Sequence, residues 1–344
     1  MPDMRFSPPP PVRRSSDASG MNQMVARSLN ERLIMSMLLQ CDGMTRNELV
    51  QASGLSAQTI SVIVRALEAE KLIVKGNAVK GRVGPPSRPI NLNPNGAFAI
   101  GLNVRSTEVT AIVVNLLGQE VAGLSQGLAD TSSEALHEAI KQMIKTLEVD
   151  CGKRRWSRLI GVGLTLPRPN ARMAISETEL DAANLESFLT SLVGRDVHIQ
   201  EEMTALVSAE AIFGAARKGT DYLQCFVDTD LHTRVCLDGR IYSGNVAKGK
   251  DNLVHNDGTN SEKWLDDTAD ALVERIESLA QFITTPIVVI SSAYSSDTTR
   301  KLSYAVQKLV GPSKEILPSS FGSQALCIGA AALPFQVRFV AKVD

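Results

Sequence analysis

The sequence predicts an α/β protein that begins with a winged helix-turn-helix domain and continues as a larger, two-lobed α/β domain. Three observations predict this fold. Residues 45–67 have the pattern of a helix-turn-helix, no acidic residue follows between Lys71 and Thr107, and apolar strands alternate with helices in two sets after residue 93. With 344 residues and 44% hydrophobic content, the chain can form two or three domains with cores of their own.

The N-terminal segment predicts a tail and a first helix. Residues 1 to about 20 are rich in proline and serine, and the run Pro8–Pro11 excludes a helix there, so we expect a disordered tail. The span Asn22–Gln40 predicts an amphipathic helix that packs under the two helices after it. Its apolar face is expected to contain Val25, Leu29, Leu33 and Met37.

The helix-turn-helix pattern begins at Thr45, which can cap a short helix with Glu48 in capping-box register. A turn at Ser53-Gly54-Leu55 separates this helix from a second one, which Ser56 can cap. Four apolar residues recur in the second helix at the spacing of one buried face: Ile60, Ile63, Val64 and Leu67.

The opposite face of the second helix predicts DNA recognition. Its N-terminal part carries small, hydrogen-bonding and cationic side chains, and this is the end that enters the major groove in such domains. Gln58 is the best candidate base reader because its amide can pair bidentately with adenine. The candidate DNA-binding residues are Thr45, Ser56, Gln58, Thr59, Ser61, Arg65, Lys80 and Arg82.

Two short apolar runs, Leu72–Val74 and Ile90–Leu92, indicate a β-wing after this helix. Between them, Lys80 and Arg82 favour contact with phosphates or insertion into a minor groove. The alternative is a helix-turn-helix pattern that arose by chance, followed by a basic loop that is merely solvated.

The distribution of charge favours the DNA-binding interpretation. The net charge is −1, but residues 21–92 carry nine Lys/Arg against five Asp/Glu, whereas residues 93–344 carry 24 against 30. Such segregation is expected when one domain meets a polyanion and the other does not.

Composition also indicates where the protein is located and whether it binds a metal. No apolar run is long enough to span a bilayer and the N-terminus lacks the apolar core of a signal peptide, so we expect a cytoplasmic protein. The five cysteines are odd in number and widely spaced, which suits reduced thiols. The chain has no C-x-x-C motif, so a thiolate zinc site is not expected, and we predict neither a metal nor a cofactor.

The segment after residue 93 predicts two related α/β lobes with a cleft between them. The predicted strands are Ala97–Val104, Val109–Leu116, Leu159–Leu166, Val197–Ile199, Leu223–Val227, Arg234–Leu237 and Ile287–Ile290. The predicted helices are Glu134–Leu147, Leu185–Val193, Ala205–Ala216, Lys263–Phe282, Thr298–Leu309 and Ala325–Leu333.

Six segments follow one another in an order that resembles a known family. They are Arg88–Pro94, Ile100–Val104, Gly161–Gly163 with Pro167, Ala183–Leu185, Asp238–Gly244 and Gly329–Leu333. Together they resemble the ROK family of sugar-responsive repressors and sugar kinases, from the link after the wing to the terminal G-A-A-x-L motif. The resemblance implies an actin-like, sugar-kinase-like fold and a sugar or sugar-phosphate effector. Because one winged domain reads few bases, we also expect a homodimer on a pseudo-palindromic DNA site.

The positions that carry chemistry in the family kinases differ here. Asn103 and Arg105 stand in place of the Asp and Gly of the first phosphate motif, and the glycine-rich second loop falls on Asp228–Arg234, which contains no glycine. An adenosine-side G-G-G falls on Ser291–Ala293. The family's zinc module is missing, because residues 245–262 contain His255 and no cysteine.

The sugar site of the family is only partly matched. The motif E-N-D-A-N falls on residues 200–204, so that Glu202 replaces the catalytic Asp and Glu201 a sugar-binding Asn. The resemblance leaves Asn184, Glu201 and Glu202 as possible sugar-binding residues and no catalytic residue. We therefore expect a repressor with a non-catalytic ROK domain. The alternatives are a divergent ATP-dependent sugar kinase and a DNA-binding protein whose C-terminal region is a ligand-independent scaffold.

Overall fold

The computed structural model describes residues 19–77, 88–105, 108–128, 132–166, 182–217, 219–242 and 262–341. Residues 1–18 of the predicted tail, the centre of the wing with Lys80 and Arg82, and His255 lie outside these ranges. No described helix is both long and apolar enough to cross a membrane.

The N-terminal part is a winged helix-turn-helix, as the sequence predicts. Its elements are α1 (Ser19–Gln40), α2 (Arg46–Ser53), α3 (Ala57–Ala69), β1 (Ile73–Lys75) and β2 (Ile90–Leu92). The two strands pair antiparallel, with Ile73 opposite Leu92. Gly54 ends α2 in the left-handed region at φ 68°, where glycine has no steric penalty.

The predicted caps fix the two helices of the motif. Thr45 Oγ1 accepts the N–H of Glu48, and the Glu48 carboxylate accepts the N–H of Thr45 at 2.6 Å, which completes a capping box. Ser56 Oγ accepts the N–H of Thr59 at 3.1 Å at the start of α3. The predicted apolar face of α3 is buried, at 3% exposure or less, and comprises Ile60, Ile63, Val64 and Leu67.

The single apolar stripe predicted for the first helix is wrong. Leu29 is 50% exposed, whereas the last turns of α1 are buried on more than one side. The buried residues are Ile34, Met35, Met37, Leu38 and Leu39. The physical reason is that this end of α1 packs both against the winged domain and against the C-terminal helix of the second domain, so no single stripe describes it. The helix also begins at Ser19, three residues before the predicted Asn22, because the prolines that exclude a helix end at Pro11.

The rest of the described chain consists of alternating strands and helices. In chain order they are β3 (Phe98–Val104), β4 (Glu108–Asn115), β5 (Glu120–Gly127), α4 (Ser133–Trp156), β6 (Leu159–Leu166), α5 (Ala182–Val193), β7 (Val197–Glu201), α6 (Glu202–Ile212), β8 (Tyr222–Val227), β9 (Leu231–Leu237), β10 (Arg240–Ile241), α7 (Glu262–Ala280), β11 (Ile287–Ser292), α8 (Ser296–Val310), β12 (Glu315–Pro318) and α9 (Ala325–Phe339).

These strands form two five-stranded sheets of the same design, which confirms the two related lobes. Their orders are β5-β4-β3-β6-β7 and β10-β9-β8-β11-β12. In each sheet the first two pairings are antiparallel and the last two are parallel. In open α/β sheets, ligands bind at the carboxyl ends of the strands. The carboxyl ends of the central strands β3 and β8 are therefore the candidate ligand-binding edges.

The helices α6 and α9 pack together and lie against the first sheet. The backbone of α9 approaches that sheet at Gly101 and Gly163, where a Cβ atom would collide with the carbonyl oxygens of Cys327 and Ala330. Gly329 allows α9 the same close approach to Leu206 on α6. These glycines hold the two helices in a fixed position relative to the sheet.

Several predicted boundaries need correction. The helix predicted to end at Ala216 ends at Ile212, because the buried Glu210 carboxylate accepts the N–H of Ala215 at 2.9 Å and the chain turns there. α4 continues beyond Leu147 and kinks at Gly152. α9 continues through Pro334 to Phe339, since that proline packs against Gly161. The short or half-exposed strands β5, β10 and β12 are additional to the prediction.

Candidate nucleic-acid interface and interlobe cleft

The outward face of α3 carries exposed polar side chains that have no partner among the described residues. Gln58 and Arg65 are exposed, and neither forms a hydrogen bond or an ion pair with another described residue. Val62, between them on the same face, is 50% exposed. The amide and the guanidinium can therefore pair with base edges, and the valine can contact a thymine methyl group. Val62 is not among the DNA-binding residues predicted from the sequence.

The hydroxyl-bearing candidates are instead engaged in local structure. Thr45 and Ser56 cap their helices, as described above. Ser61 Oγ donates to the carbonyl of Ala57 at 2.8 Å, and the hydroxyls of Ser56 and Thr59 lie 2.9 Å apart. These residues hold the N-terminal turn of α3 in place, and each hydroxyl keeps a lone pair that can accept a further hydrogen bond.

The interlobe cleft is crossed by a network of ion pairs. Arg105, just after β3, pairs with Glu202 at the start of α6 (Nε to Oε1, 3.2 Å) and with Asp228 at the end of β8 (Nη2 to Oδ2, 3.1 Å). Asp228 also accepts from His232 Nε2 at 3.2 Å. The guanidinium of one lobe thus binds a carboxylate of the other.

Neutral side chains complete this network. Asn103 Nδ2 donates to Glu202 Oε1 at 2.8 Å and to Thr165 Oγ1 at 2.9 Å. Tyr294 donates its hydroxyl hydrogen to the carbonyl of Asp228 at 2.9 Å. Asn103 and Arg105, which replace the Asp and Gly of a phosphate motif, are therefore bonded to Glu202 and not directed at an empty space.

Electrostatic pairing sets the ionisation of this cluster. Burial works against the charged form of Arg105, but the charges of Glu202 and Asp228 raise its pKa above the ordinary value. Burial likewise works against ionised Asp228, yet the hydrogen bond and charge of His232, the N–H of Asp230 and the charge of Arg105 lower its pKa. Arg105 and Asp228 are therefore held in their ionised forms.

The candidate sugar-binding residues do not form one site among the described contacts. Glu201 pairs with the buried Arg234 and accepts from Thr204 Oγ1 at 2.9 Å. Asn184 is exposed in the first turn of α5, and no described hydrogen bond joins it to Glu201 or Glu202. At the adenosine-side position, Ser291 is buried and hydrogen bonded to Gln224 at 2.8 Å.

Metal binding finds no support in the described part of the chain, where no group of three or more His, Cys, Asp or Glu residues could hold an ion. Cys225 and Cys236 are buried free thiols on β8 and β9. Burial raises the pKa of the Cys225 thiol to about 12 and that of Cys236 to about 11, so both are protonated near neutral pH.

The cleft and the winged domain are joined through α6 and α9. α6 begins at Glu202 in the cleft, and beyond its far end Arg217 pairs with Asp42 of the winged domain at 3.3 Å. Past the end of α9, the N–H of Ala341 donates to Ser36 Oγ on α1 at 2.8 Å. These two contacts join the segments that follow α6 and α9 to the winged domain.

Comparison with known proteins matches two family models. The model described as "Winged helix-turn-helix DNA-binding" matches residues 27–74, and the "ROK family" model matches residues 99–250. The xylose repressor of Bacillus spizizenii is 23% identical over 232 residues, which cover 65% of this chain and 59% of that protein. The DNA-binding transcriptional repressor Mlc of Escherichia coli is 25% identical over 224 residues, covering 62% and 54%.

Solved structures share the fold. A ROK family transcriptional regulator described as a homologue of E. coli Mlc superposes with a TM-score of 0.61 at 14% identity, over 91% of this chain and 97% of that one. A ROK family glucokinase from Streptomyces griseus, in complex with glucose and AMPPNP, gives 0.53 at 14% identity, over 70% and 100%. The chain spans about 59% of the length of the xylose repressor that it matches.

Proposed function

We propose that this chain, which belongs to the ROK family and carries a winged helix-turn-helix at its N-terminus, is a DNA-binding transcriptional repressor. Residues 21–92 act as the DNA-binding domain and residues 93–344 as the ROK domain. The observation that carries the proposal is the outward face of α3, where Gln58, Val62 and Arg65 are exposed and available to base edges. Lys80 and Arg82 add phosphate contacts from the wing.

Selection from a pool of random duplexes with the full-length chain tests this proposal. We expect enrichment of a pseudo-palindromic sequence whose half-sites lie about 34 Å apart or a multiple of that distance. The affinity should fall steeply with salt, and the Arg82→Ala variant should flatten that dependence. A selected pool indistinguishable from the starting pool would overturn the proposal.

The pseudo-palindrome requires two copies of the chain, because one winged domain reads few base pairs. We propose a homodimer held mainly by the ROK domain. Light scattering at micromolar concentration should give twice the chain mass. A monomer that binds the selected duplex with undiminished affinity would contradict this arrangement.

The cleft supports a ROK domain without kinase activity. Phosphoryl transfer needs backbone N–H groups and a metal close to the phosphates, yet Arg105 and Asp228 occupy the two phosphate positions and pair with each other. A coupled assay with magnesium-ATP over hexoses and amino sugars should give no turnover. Turnover that Glu202→Ala abolishes would support the alternative of a divergent sugar kinase.

A sugar-sensing role for the ROK domain is proposed from the family positions Asn184, Glu201 and Glu202, although no described hydrogen bond joins Asn184 to the other two. It also draws on the ion pair between Arg217, beyond α6, and Asp42 of the winged domain. A sugar or sugar phosphate that binds the folded chain should raise its melting temperature and weaken its binding to the selected duplex. If no sugar in a broad panel does either, the ROK domain is a ligand-independent scaffold.

A further inference from the structure

A basic cavity of about 430 Å³ lies where α4 kinks beside the loop that links the wing to the first sheet. Its lining residues are Asn95, Phe98, Cys151, Gly152, Lys153, Arg154, Arg155 and Arg158. Four of these eight residues are cationic and none is acidic, although residues 93–344 carry an excess of acidic side chains. The cavity is thus a local concentration of positive charge in an acidic domain.

The kink in α4 lies in the wall of this cavity. Gly152 has φ 73° and ψ 154°, which breaks α4 before its last turn, and a Cβ atom there would meet no other atom within 4 Å. Lys153, Arg154 and Arg155 follow the kink and are exposed. None of the three forms an ion pair with a described carboxylate, so their charges are not compensated within the described chain.

Arg158, the fourth cation, connects the wall of the cavity to the winged domain through hydrogen bonds. Arg158 donates through Nε to the carbonyl of Gly96 at 2.8 Å and through Nη2 to the carbonyl of Glu70 at 2.7 Å. Glu70 is the C-terminal capping residue of α3. One wall of the cavity is therefore bonded to the end of the candidate recognition helix.

Distance argues against the DNA duplex as the anion that this cavity binds. The first turn of α3 begins at Ser56, roughly 20 Å from Glu70 along the helix axis, and Arg65, the last candidate base reader, lies roughly 8 Å from Glu70. The strand ends near the cavity, Ile73 and Leu92, are likewise the ends of the wing away from its centre. The cavity thus lies beyond the last candidate base reader, and the salt dependence of DNA binding distinguishes a free anion from a duplex at this position.

We propose that this cavity binds a small phosphorylated molecule, at a site separate from the interlobe cleft. Its volume lies within the range of small-molecule sites, and paired guanidinium groups match the oxygen geometry of a phosphate. Binding there would hold α3 in one position relative to the first lobe through Arg158. The binding itself is independent of the proposed repressor function; only its effect on DNA affinity rests on that function.

Thermal unfolding and calorimetry of the full-length chain test the proposal, with inorganic pyrophosphate and glucose 6-phosphate as probes. Glucose and sodium chloride at matched ionic strength serve as reference solutions. We expect both probes to raise the melting temperature above the references. Arg154→Gln/Arg155→Gln should weaken their binding by about tenfold or more, because two charged partners are lost. Lys141→Gln/Lys145→Gln, which removes two cations from another part of α4, should bind as the wild type does.

Three results would overturn the proposal. They are no stabilisation by either probe, equal stabilisation of the Arg154→Gln/Arg155→Gln variant, and a loss of salt dependence in the DNA binding of that variant, which would make the cluster a DNA contact. Failure of the chain to bind any duplex would overturn the repressor function and leave the phosphate result standing.

Discussion

The candidate recognition helix α3 and the interlobe cleft are both rich in polar side chains, but those of α3 are exposed and those of the cleft are paired with one another. On α3, Gln58 and Arg65 face outward without a partner among the described residues. In the cleft, Arg105, Glu202 and Asp228 bind one another across the two lobes. The difference indicates which surface is available to an external ligand, because a phosphate entering the cleft has to compete with carboxylates already bound to Arg105.

Removal of Arg105, the cation at the centre of the cleft network, should have the largest effect of the changes considered, and it should act on stability. Arg105→Ala leaves Glu202 and Asp228, whose side chains are 14% and 12% exposed, without their shared cation. We expect a loss of about 2–3 kcal/mol in the free energy of unfolding, less than for a fully buried pair because the Arg105 side chain is itself 35% exposed. Urea unfolding measures this value.

The matched control is Arg300→Ala. Arg300 pairs with Asp297 on the surface of α8, where both side chains are more than half exposed. Its loss should leave the free energy of unfolding nearly unchanged, because solvent screens an exposed pair. If Arg105→Ala were as mild as this control, the cleft network would not hold the lobes together.

A change on the recognition helix should act on DNA and leave stability unchanged. Gln58→Ala should cost about 1–3 kcal/mol of binding to the preferred duplex and relax the preference at one base pair. Gln281→Ala, an exposed glutamine after α7, is the control and should bind as the wild type does. A loss of affinity that is uniform over random sequences would mean that Gln58 contacts phosphate and reads no base.

The pH dependence of stability tests whether Asp228 is paired with Arg105 and His232 in the cleft. The pKa of Asp228 is lowered in the folded chain, so its contribution to stability is present above the unfolded pKa and is lost as the pH falls through the folded one. Wild type should therefore lose stability below about pH 4 more steeply than Asp228→Asn. Parallel acid titrations of the two proteins would contradict the pairing of Asp228 with Arg105 and His232.

Substitution of the buried Glu210 should have the smallest effect of the changes considered. Its pH dependence should have the opposite sign to that of Asp228. Burial raises the pKa of this carboxyl group, although hydrogen bonds from Ser319, the N–H of Ala215 and Ser291 oppose the shift. A raised pKa favours the folded state below the unfolded pKa, and this advantage is lost as the pH rises through the folded value. Glu210→Gln should therefore unfold at higher urea than wild type at pH 7 and at the same concentration near pH 4. Equal midpoints at both pH values would contradict this.

The sequence predicted the winged domain better than the cleft, and the reason is the range of the interactions. Thr45 with Glu48 and Ser56 with Thr59 are caps between residues three positions apart, so a short window of sequence contains both partners. The position of Arg105 followed from motif register, but its bond to Asp228 joins residues 123 positions apart. No local pattern specifies such a pair.

Tertiary packing explains the other differences between sequence and structure. The burial of α1 on several sides depends on α9, more than 280 residues later, which the helical period of α1 cannot reveal. β5 is half exposed along its length and resembles a loop in composition, and it forms because β4 offers a free edge.

The central claim is that the interlobe cleft does not bind nucleotide. Calorimetric titration of the full-length chain with magnesium-ATP tests it most directly. The polar groups of the cleft are bonded to one another, and the positions of a phosphate loop hold side chains in place of glycine. We predict no binding heat up to millimolar nucleotide, under conditions where the same preparation binds its selected duplex. Micromolar affinity for ATP that is lost in Glu202→Ala would contradict the account and indicate a functional kinase site.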